Sequence, residues 1–247
     1  MSEKTILILG ATSAIAKSCA HLFAIRGYHL ILAGRDTEEL KRIAADLIIR
    51  YHIQAQIKLF DANDQTHHAD FFYSVIQDCH QIDGVLLAFG YLGDQDLANQ
   101  HIEESLNIIS QNYTGAVSIL QICAAYFERQ EHGFIVGISS VAGDRGRQSN
   151  YLYGSAKAGL SVYLAGLRNR LQRKNICVLT VKPGFVDTVM TFGLPGVFLA
   201  ASPNFIAKKI IRAIDKRRSN IYTPWFWRYI MLILKIIPEP IFKRLNL

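Results

Sequence analysis

Thr5-Ile6-Leu7-Ile8-Leu9-Gly10-Ala11-Thr12-Ser13-Ala14-Ile15-Ala16 decides how the rest of the chain is read. Five consecutive apolar residues, Ile and Leu after a Thr, suit a strand buried on both faces rather than a half-solvated one, which would alternate. Gly10 marks a sharp turn, and the small residues after it open a helix. Such a junction aims the free backbone N–H groups of the helix start at an anion, the arrangement that holds a dinucleotide pyrophosphate. Ser13 adds a hydroxyl for the phosphates.

Similar apolar runs recur down the chain, at residues 28–33, 54–60, 85–88, 134–139 and 176–182, with a short final one at 220–222. Helical stretches separate them, including residues 101–130, a helix running to about residue 174, and an amphipathic helix opened by Ser202-Pro203 that runs to residue 218. Alternating strand and helix predict an α/β fold: a single doubly wound Rossmann-type domain with a central, mostly parallel seven-stranded sheet over residues 1–223. Residues 224–247 are expected to form an amphipathic carboxy-terminal helical tail. Between these parts, residues 189–202, with Gly193, Pro195 and Gly196, read as a mobile lid over the substrate.

The 247 residues are half apolar, enough for one well-buried core, and carry a net charge of +7. Residues 206–247 alone carry +8, from ten Lys/Arg against Asp215 and Glu239, so the remainder is close to neutral. A basic end of this kind suits an anionic surface or substrate, a solvated charged face being the plainer alternative. Cys19, Cys79, Cys123 and Cys177 are scattered, and none of the eight histidines forms a helical pair with a carboxylate in a metal-binding motif, so reduced core cysteines and no metal site are expected. No nucleic-acid partner is expected. The chain opens Met1-Ser2-Glu3-Lys4 and enters a strand at once, without room for a signal peptide; a cytoplasmic protein is expected.

The chemistry is expected at Tyr153 and Lys157. At i and i+4 on a helix, the phenol and ammonium share one face, and a fixed cation should bring the phenol's pKa down toward working pH. Ser140, at the end of the run 134–139, would orient a substrate carbonyl. A Tyr-x-x-x-Lys pair alone is weak evidence, since lysine stems often merely pack on rings. It is the register with Ser140, the first turn and Pro183-Gly184 that favours catalysis. At the end of the second run stand Gly34 and Arg35; no acid is there to take ribose hydroxyls, and a guanidinium suits a 2′-phosphate, so NADP(H) is expected over NAD(H). Asp36 is read as a helix cap.

In this order, glycine turn, serine, tyrosine and lysine resemble the short-chain dehydrogenase/reductase family. The resemblance implies a catalytic set of Asn112, Ser140, Tyr153 and Lys157, with Asn112 holding a proton relay to solvent. It implies cofactor contacts from Gly10, Thr12, Ser13, Ile15, Arg35, Asp61, Ala62, Gly90, Tyr153, Lys157, Pro183, Val186 and Thr188, with Asp61 on the adenine and Val186 and Thr188 on the carboxamide. Two departures stand out. Ala14 and Ala16 replace family glycines, and Phe89-Gly90 stands where many members read Asn-Asn-Ala-Gly, so the bracing those asparagines give must come from elsewhere.

Further stretches look like the decaprenylphosphoryl-2-keto-ribose reductases: Phe89-Gly90-Tyr91-Leu92-Gly93-Asp94, Gln111-Asn112-Tyr113-Thr114-Gly115, Arg145-Gly146-Arg147, and the ending from Arg228-Tyr229-Ile230-Met231 through Lys243-Arg244-Leu245. That resemblance implies reduction of a keto-sugar on a polyprenyl phosphate, the second half of an epimerisation begun by a partner oxidase, a cell-wall role and a homo-oligomer. Arg145 and Arg147, on the pocket rim, either receive a substrate phosphate or are solvated loop charges. Residues 225–237 are very apolar yet too short to cross a bilayer; with Arg228, Lys235, Lys243 and Arg244 they suit a helix lying on the inner face of a membrane, an oligomer contact or pocket flap being the alternatives. Two other functions fit the same residues, a reductase of 3-oxoacyl thioesters or other lipid ketones, and a membrane-attached NADP-binding scaffold without turnover.

Overall fold

The computed structural model of the protein describes residues 4–188 and 199–245. Most of the expected lid, residues 189–198, lies outside the described residues. Seven strands, β1 (Thr5–Leu9), β2 (His29–Gly34), β3 (Ala55–Leu59), β4 (Gly84–Leu87), β5 (Phe134–Ile138), β6 (Cys177–Pro183) and β7 (Asn220–Thr223), form one sheet in the order β3-β2-β1-β4-β5-β6-β7. Every pairing is parallel, including that of β7, so the sheet is wholly rather than mostly parallel. Parallel strands need crossovers, and helices supply them on both faces. These are α1 (Ala14–Ile25), α2 (Thr37–Tyr51), α3 (His68–Cys79), α4 (Gln95–Gln100), α5 (Ile102–Ile109), α6 (Gly115–Gln130), α7 (Tyr151–Leu171) and α8 (Pro203–Asp215).

Burial explains the unbroken apolar runs. β1, β4 and β5 are buried at every residue, and their side chains alternate between two cores. Ile6, Ile8, Leu30 and Leu32 join the core under α1, α2 and α8, whereas Leu7, Leu9, Val85 and Leu87 join the one under α3, α6 and α7. Asp36 and Ser202 cap helices as expected, accepting from Glu39 and from Phe205 with Pro203 in the first turn, and Ser13, read from the sequence only as a phosphate ligand, also caps α1 by accepting from the Ala16 amide.

The strand order reverses at β1, with β2 on one side and β4 on the other. Leu9 pairs in register with both Ala33 and Leu87, so the carboxyl ends of these strands share a rim, and a crevice opens above them at the switch point. Beyond β7 run α9 (Trp227–Ile236) and α10 (Glu239–Phe242). This tail lies on the domain: Trp227 and Met231 are buried with Val141, and Phe185 and Tyr222 pack beside them. Among the described residues no helix is long and apolar enough to cross a membrane.

Candidate active site

At the end of β5, Ser139 pins the strand to α7: its Oγ donates to the Lys157 carbonyl at 2.8 Å and lies 2.8 Å from Ser161 Oγ. Ser140 follows and caps a short turn, Val141–Asp144, accepting from the Ala142 amide at 3.1 Å. Two glycines let this turn lie flat on α7. A Cβ on Gly143 would fall 2.6 Å from the Ala158 nitrogen, and one on Gly154 2.9 Å from the Ala142 carbonyl oxygen. That close approach brings Ser140 within hydrogen-bonding reach of the Tyr153 phenol.

Lys157, one turn on from Tyr153, is buried and donates to the Ile138 carbonyl at 3.2 Å, its Nζ 5.6 Å from the phenol ring centroid. Burial dominates both groups. It pushes the Tyr153 phenol up to about 12, with the Ser140 hydrogen bond acting against it, and brings the Lys157 ammonium down to about 8. The sequence-based expectation of a lowered phenol pKa is therefore corrected: desolvation outweighs the hydrogen bond from Ser140.

Asn112 supplies the missing bracing. It lies fully buried in a π turn, Ser110–Thr114, between α5 and α6, where the extra residue turns its side chain toward the end of β4. Its Nδ2 donates to the carbonyls of Ile108 (2.9 Å) and Tyr91 (2.5 Å), and its Oδ1 accepts from the Tyr91 amide at 3.1 Å. One side chain thus fixes the loop after β4. Asn112 and Lys157 converge behind Gly90, where a Cβ would lie 3.0 Å from Asn112 Oδ1 and 3.2 Å from Lys157 Nζ.

A cavity of about 440 Å³ joins these groups to the first turn. Of the residues expected there, Thr12, Ser13, Ile15, Gly90, Ser140, Arg147, Tyr153, Lys157, Pro183, Val186 and Thr188 line it. Gly10 and Asn112 stand behind the lining. Gly10, at φ +79°, lies so close to the loop after β4 that a Cβ would fall 2.6 Å from the Phe89 nitrogen. Arg35, Asp61 and Ala62 lie off the cavity, around the ends of β2 and β3. Arg35 is exposed; Asp61 Oδ1 accepts from the Asn63 amide at 2.9 Å; the Ala62 carbonyl abuts Gly115, where a Cβ would fall 2.1 Å away.

The two rim arginines part company. Arg147 faces the cavity, and its buried Nε has no hydrogen-bond partner among the described residues, nor does Asn150 Oδ1 beside it on the same wall. Arg145 does not reach the cavity, which corrects its assignment to substrate. Its guanidinium donates to the carbonyls of Leu234 and, at 2.7 Å, Ile237, pairs with Glu239 at 2.9 Å, and stacks 3.6 Å from the Phe242 ring. It caps the carboxyl end of α9, where free carbonyls and the helix dipole favour a cation.

Sequence reasoning offered residues 225–237 as a pocket flap only as an alternative and did not single out Trp227, which lines the cavity and meets Phe185 edge-on at 5.4 Å. Gly184 makes room for it, since a Cβ there would overlap the indole. It also missed Asp144, which bonds Lys182 (2.5 Å) and the Tyr222 hydroxyl (2.6 Å) and so ties the Ser140 turn to β6 and β7. An indole between two apolar stripes of one short helix was the available clue; no local signal marks Asp144.

These residues fit a dinucleotide. The first turn leaves no room for a side chain at Gly10, α1 has no acid in its first turn to repel phosphate, and Gly90 keeps open the space before Lys157.

A sequence model described as short chain dehydrogenase matches residues 4–194. An uncharacterized oxidoreductase of Mycobacterium tuberculosis is 33% identical over 240 residues, 97% of this chain and 96% of its own length. One from Streptomyces coelicolor is 33% identical over 98% of this chain and 96% of its own. Among solved structures, a short-chain dehydrogenase from Sphingobium yanoikuyae in complex with NADPH superposes with a TM-score of 0.84 at 22% identity, covering 99% of this chain and 96% of that one. The bulky-bulky ketone specific alcohol dehydrogenase of Comamonas testosteroni gives 0.80 at 23% identity, with 99% and 96% covered.

Proposed function

The chain belongs to the short-chain dehydrogenase family, and on that premise we propose that it is an NADPH-dependent reductase of ketones, acting on the keto-sugar of a polyprenyl-phosphate-linked pentose. The observation that carries the reductase reading is the convergence of Ser140, Tyr153 and Lys157 on one cavity that begins at the Gly10 turn. Thr12, Ser13 and Ile15 would hold the pyrophosphate, Arg35 the 2′-phosphate, Asp61 and Ala62 the adenine, and Pro183, Val186 and Thr188 the nicotinamide. Bound NADPH supplies the hydride. That the Sphingobium relative was solved with NADPH supports the choice of cofactor.

The chain's own residues handle the proton. With its pKa near 12, the Tyr153 phenol is protonated at neutral pH, the state a general acid for reduction requires. It donates to the oxygen on which alkoxide charge develops, Ser140 donates a second hydrogen bond to that oxygen, and Lys157, still mostly charged at neutral pH, steadies the phenolate and the ribose. Asn112, behind Gly90, orders the route by which the proton is replaced.

Two features support a greasy, phosphorylated ketone. The bare Nε of Arg147 offers a phosphate its charge-assisted partner inside the cavity. Trp227, Phe185 and Leu92 give the same cavity an apolar wall for a prenyl chain. The reaction then completes an epimerisation begun by a partner oxidase at the inner face of the membrane, with this chain acting as a homo-oligomer.

Steady-state turnover of purified protein with NADPH and two ketones tests the substrate, a polyprenyl-phosphate 2-keto-pentose against a 3-oxoacyl thioester. Preference for the pentose by tenfold or more in kcat/KM, about 1.4 kcal/mol, supports the reading. Preference for the thioester overturns the substrate and leaves the reductase standing; inertness with both favours the scaffold.

A further inference from the structure

α9 is apolar on two sides. Toward the domain it buries Trp227 and Met231, 2% and 1% exposed. Toward solvent, Trp225, Tyr229, Leu232, Ile233 and Ile236 form a second stripe, in which Trp225 is 69% and Ile236 68% exposed. The i, i+3, i+4 and i+7 spacings from Tyr229 through Leu232 and Ile233 to Ile236 keep these four on one face. Ile241 and Leu245 continue the exposed apolar surface beyond the helix. Large side chains in contiguous array on a surface call for a partner.

The charges say which. Arg228 and Lys235, seven residues apart, flank the stripe along one side, and Lys243 and Arg244 follow it; all four are exposed. The tail's single acid, Glu239, is paired with Arg145 and leaves that basic border uncompensated. A second copy meeting this face antiparallel, through a two-fold axis across the helix, would bring the same cations against each other. An anionic bilayer satisfies both halves, taking the stripe among its acyl chains and the cations among its headgroups, with the aromatic residues at the interfacial level.

We propose that the outer face of α9 docks the protein on anionic membrane surface. The inner face of the same helix is the cavity wall, through Trp227, and Arg145 clamps the helix end to the Ser140–Tyr153 connection. Docking therefore puts the wall of the cavity at the lipid surface. This goes beyond the reaction, and its test contains no ketone, so either can fail without the other.

The experiment is flotation of the full chain with vesicles of phosphatidylcholine alone and of an equal mixture with phosphatidylglycerol. Binding to the mixture, weakened by salt and absent with phosphatidylcholine alone, is expected. Arg228→Gln with Lys235→Gln should weaken it about twenty-five-fold, roughly fivefold for each cation near an anionic surface. Ile233→Asp should abolish it while NADPH binding and the circular dichroism spectrum stay those of the parent. Failure to float with either vesicle, or equal flotation with both, overturns the proposal. So does sedimentation showing that Ile233→Asp converts an oligomer to a monomer, which would make the stripe a subunit contact.

Discussion

At the dinucleotide end of the cavity the work is done by backbone, and at the substrate end by side chains gathered from afar. The first end is the β1 turn, where Gly10 and the α1 cap Ser13 lie within a dozen residues of Thr5 and Gly10 presses on the backbone of Phe89 in the loop after β4. The second joins the turn after Ser140, Gly184 just past β6, Tyr222 on β7 and Trp227 on α9, tied by Asp144 and Arg145 across as many as 94 positions of sequence. A backbone cradle depends on what cannot be placed at a few positions, so it tolerates Ala14 and Ala16 as long as Gly10 remains. A side-chain wall depends on which partner each residue finds, and neighbours such as Arg145 and Arg147 can serve opposite ends of it.

The sharpest break in the comparison falls where the two ends meet. Tyr153→Phe should lower kcat by about a thousandfold, within the 10²–10⁴ typical of a lost general acid, while NADPH affinity measured by fluorescence stays within a few-fold. Turnover near the parent's would remove Tyr153 from the chemistry.

Next in size are two glycines, one at each end. Gly10→Ala sets a side chain at φ +79° and 2.6 Å from the Phe89 nitrogen; the positive φ alone costs about 1–3 kcal/mol, and NADPH affinity and Tm should fall together. Gly184→Ala strikes the Trp227 ring, whose displacement should speed proteolysis of the tail. The sign that the two ends are separable is that Gly184→Ala leaves 2′,5′-ADP affinity unchanged; a parallel loss in both variants would contradict the distinction.

The arginines give a smaller, cleaner contrast. Arg147→Ala should raise KM for a phosphate-bearing ketone about thirtyfold, equivalent to the 1.5–3 kcal/mol of a hydrogen bond to a charged group, and hardly affect a ketone without phosphate. Arg145→Ala should treat both ketones alike and lower stability to denaturant by about 1–3 kcal/mol, since it uncaps α9 and leaves its carbonyls unpaired.

The mildest effect is that of pH. Lys157 titrates near 8 when folded and at 10.5 ordinarily. Catalysis needs the ammonium, so kcat/KM should be halved near pH 8 and fall about tenfold per unit above it. Stability runs the other way. Between pH 8 and 10.5 the unfolded chain holds more proton at this group than the native one, so the burial penalty is full below pH 8 and relaxes as pH rises through the window. Lys157→Met should abolish that rise in denaturant titrations; an unchanged rise would assign it to other groups.

How much was legible follows the same division. The buried strands announced themselves because a strand covered on both faces needs an unbroken apolar run, and Asp36 and Ser202 fixed helix starts through bonds spanning three residues. Ser140, Tyr153 and Lys157 were found because two of them share a helix and the third ends a strand. The raised phenol pKa was not legible, since burial depends on the whole surround rather than on spacing. Nor was the fate of Arg145, because the carbonyls that claim it lie 89 and 92 residues away. Asn112 lay between the two cases. Its position could be matched from the sequence, but its hold on Tyr91 rests on a π turn that apolar spacing does not reveal.

The most direct test of the whole site is transfer of deuterium from labelled NADPH to a polyprenyl-phosphate 2-keto-pentose, followed by mass spectrometry with the parent protein and Tyr153→Phe side by side. The expected result is one deuterium per alcohol formed by the parent and almost none in the variant, although both bind NADPH. Label appearing equally in both would contradict the role given to Tyr153, and label in neither, with that ketone or a thioester, would mean that this cavity does not reduce ketones.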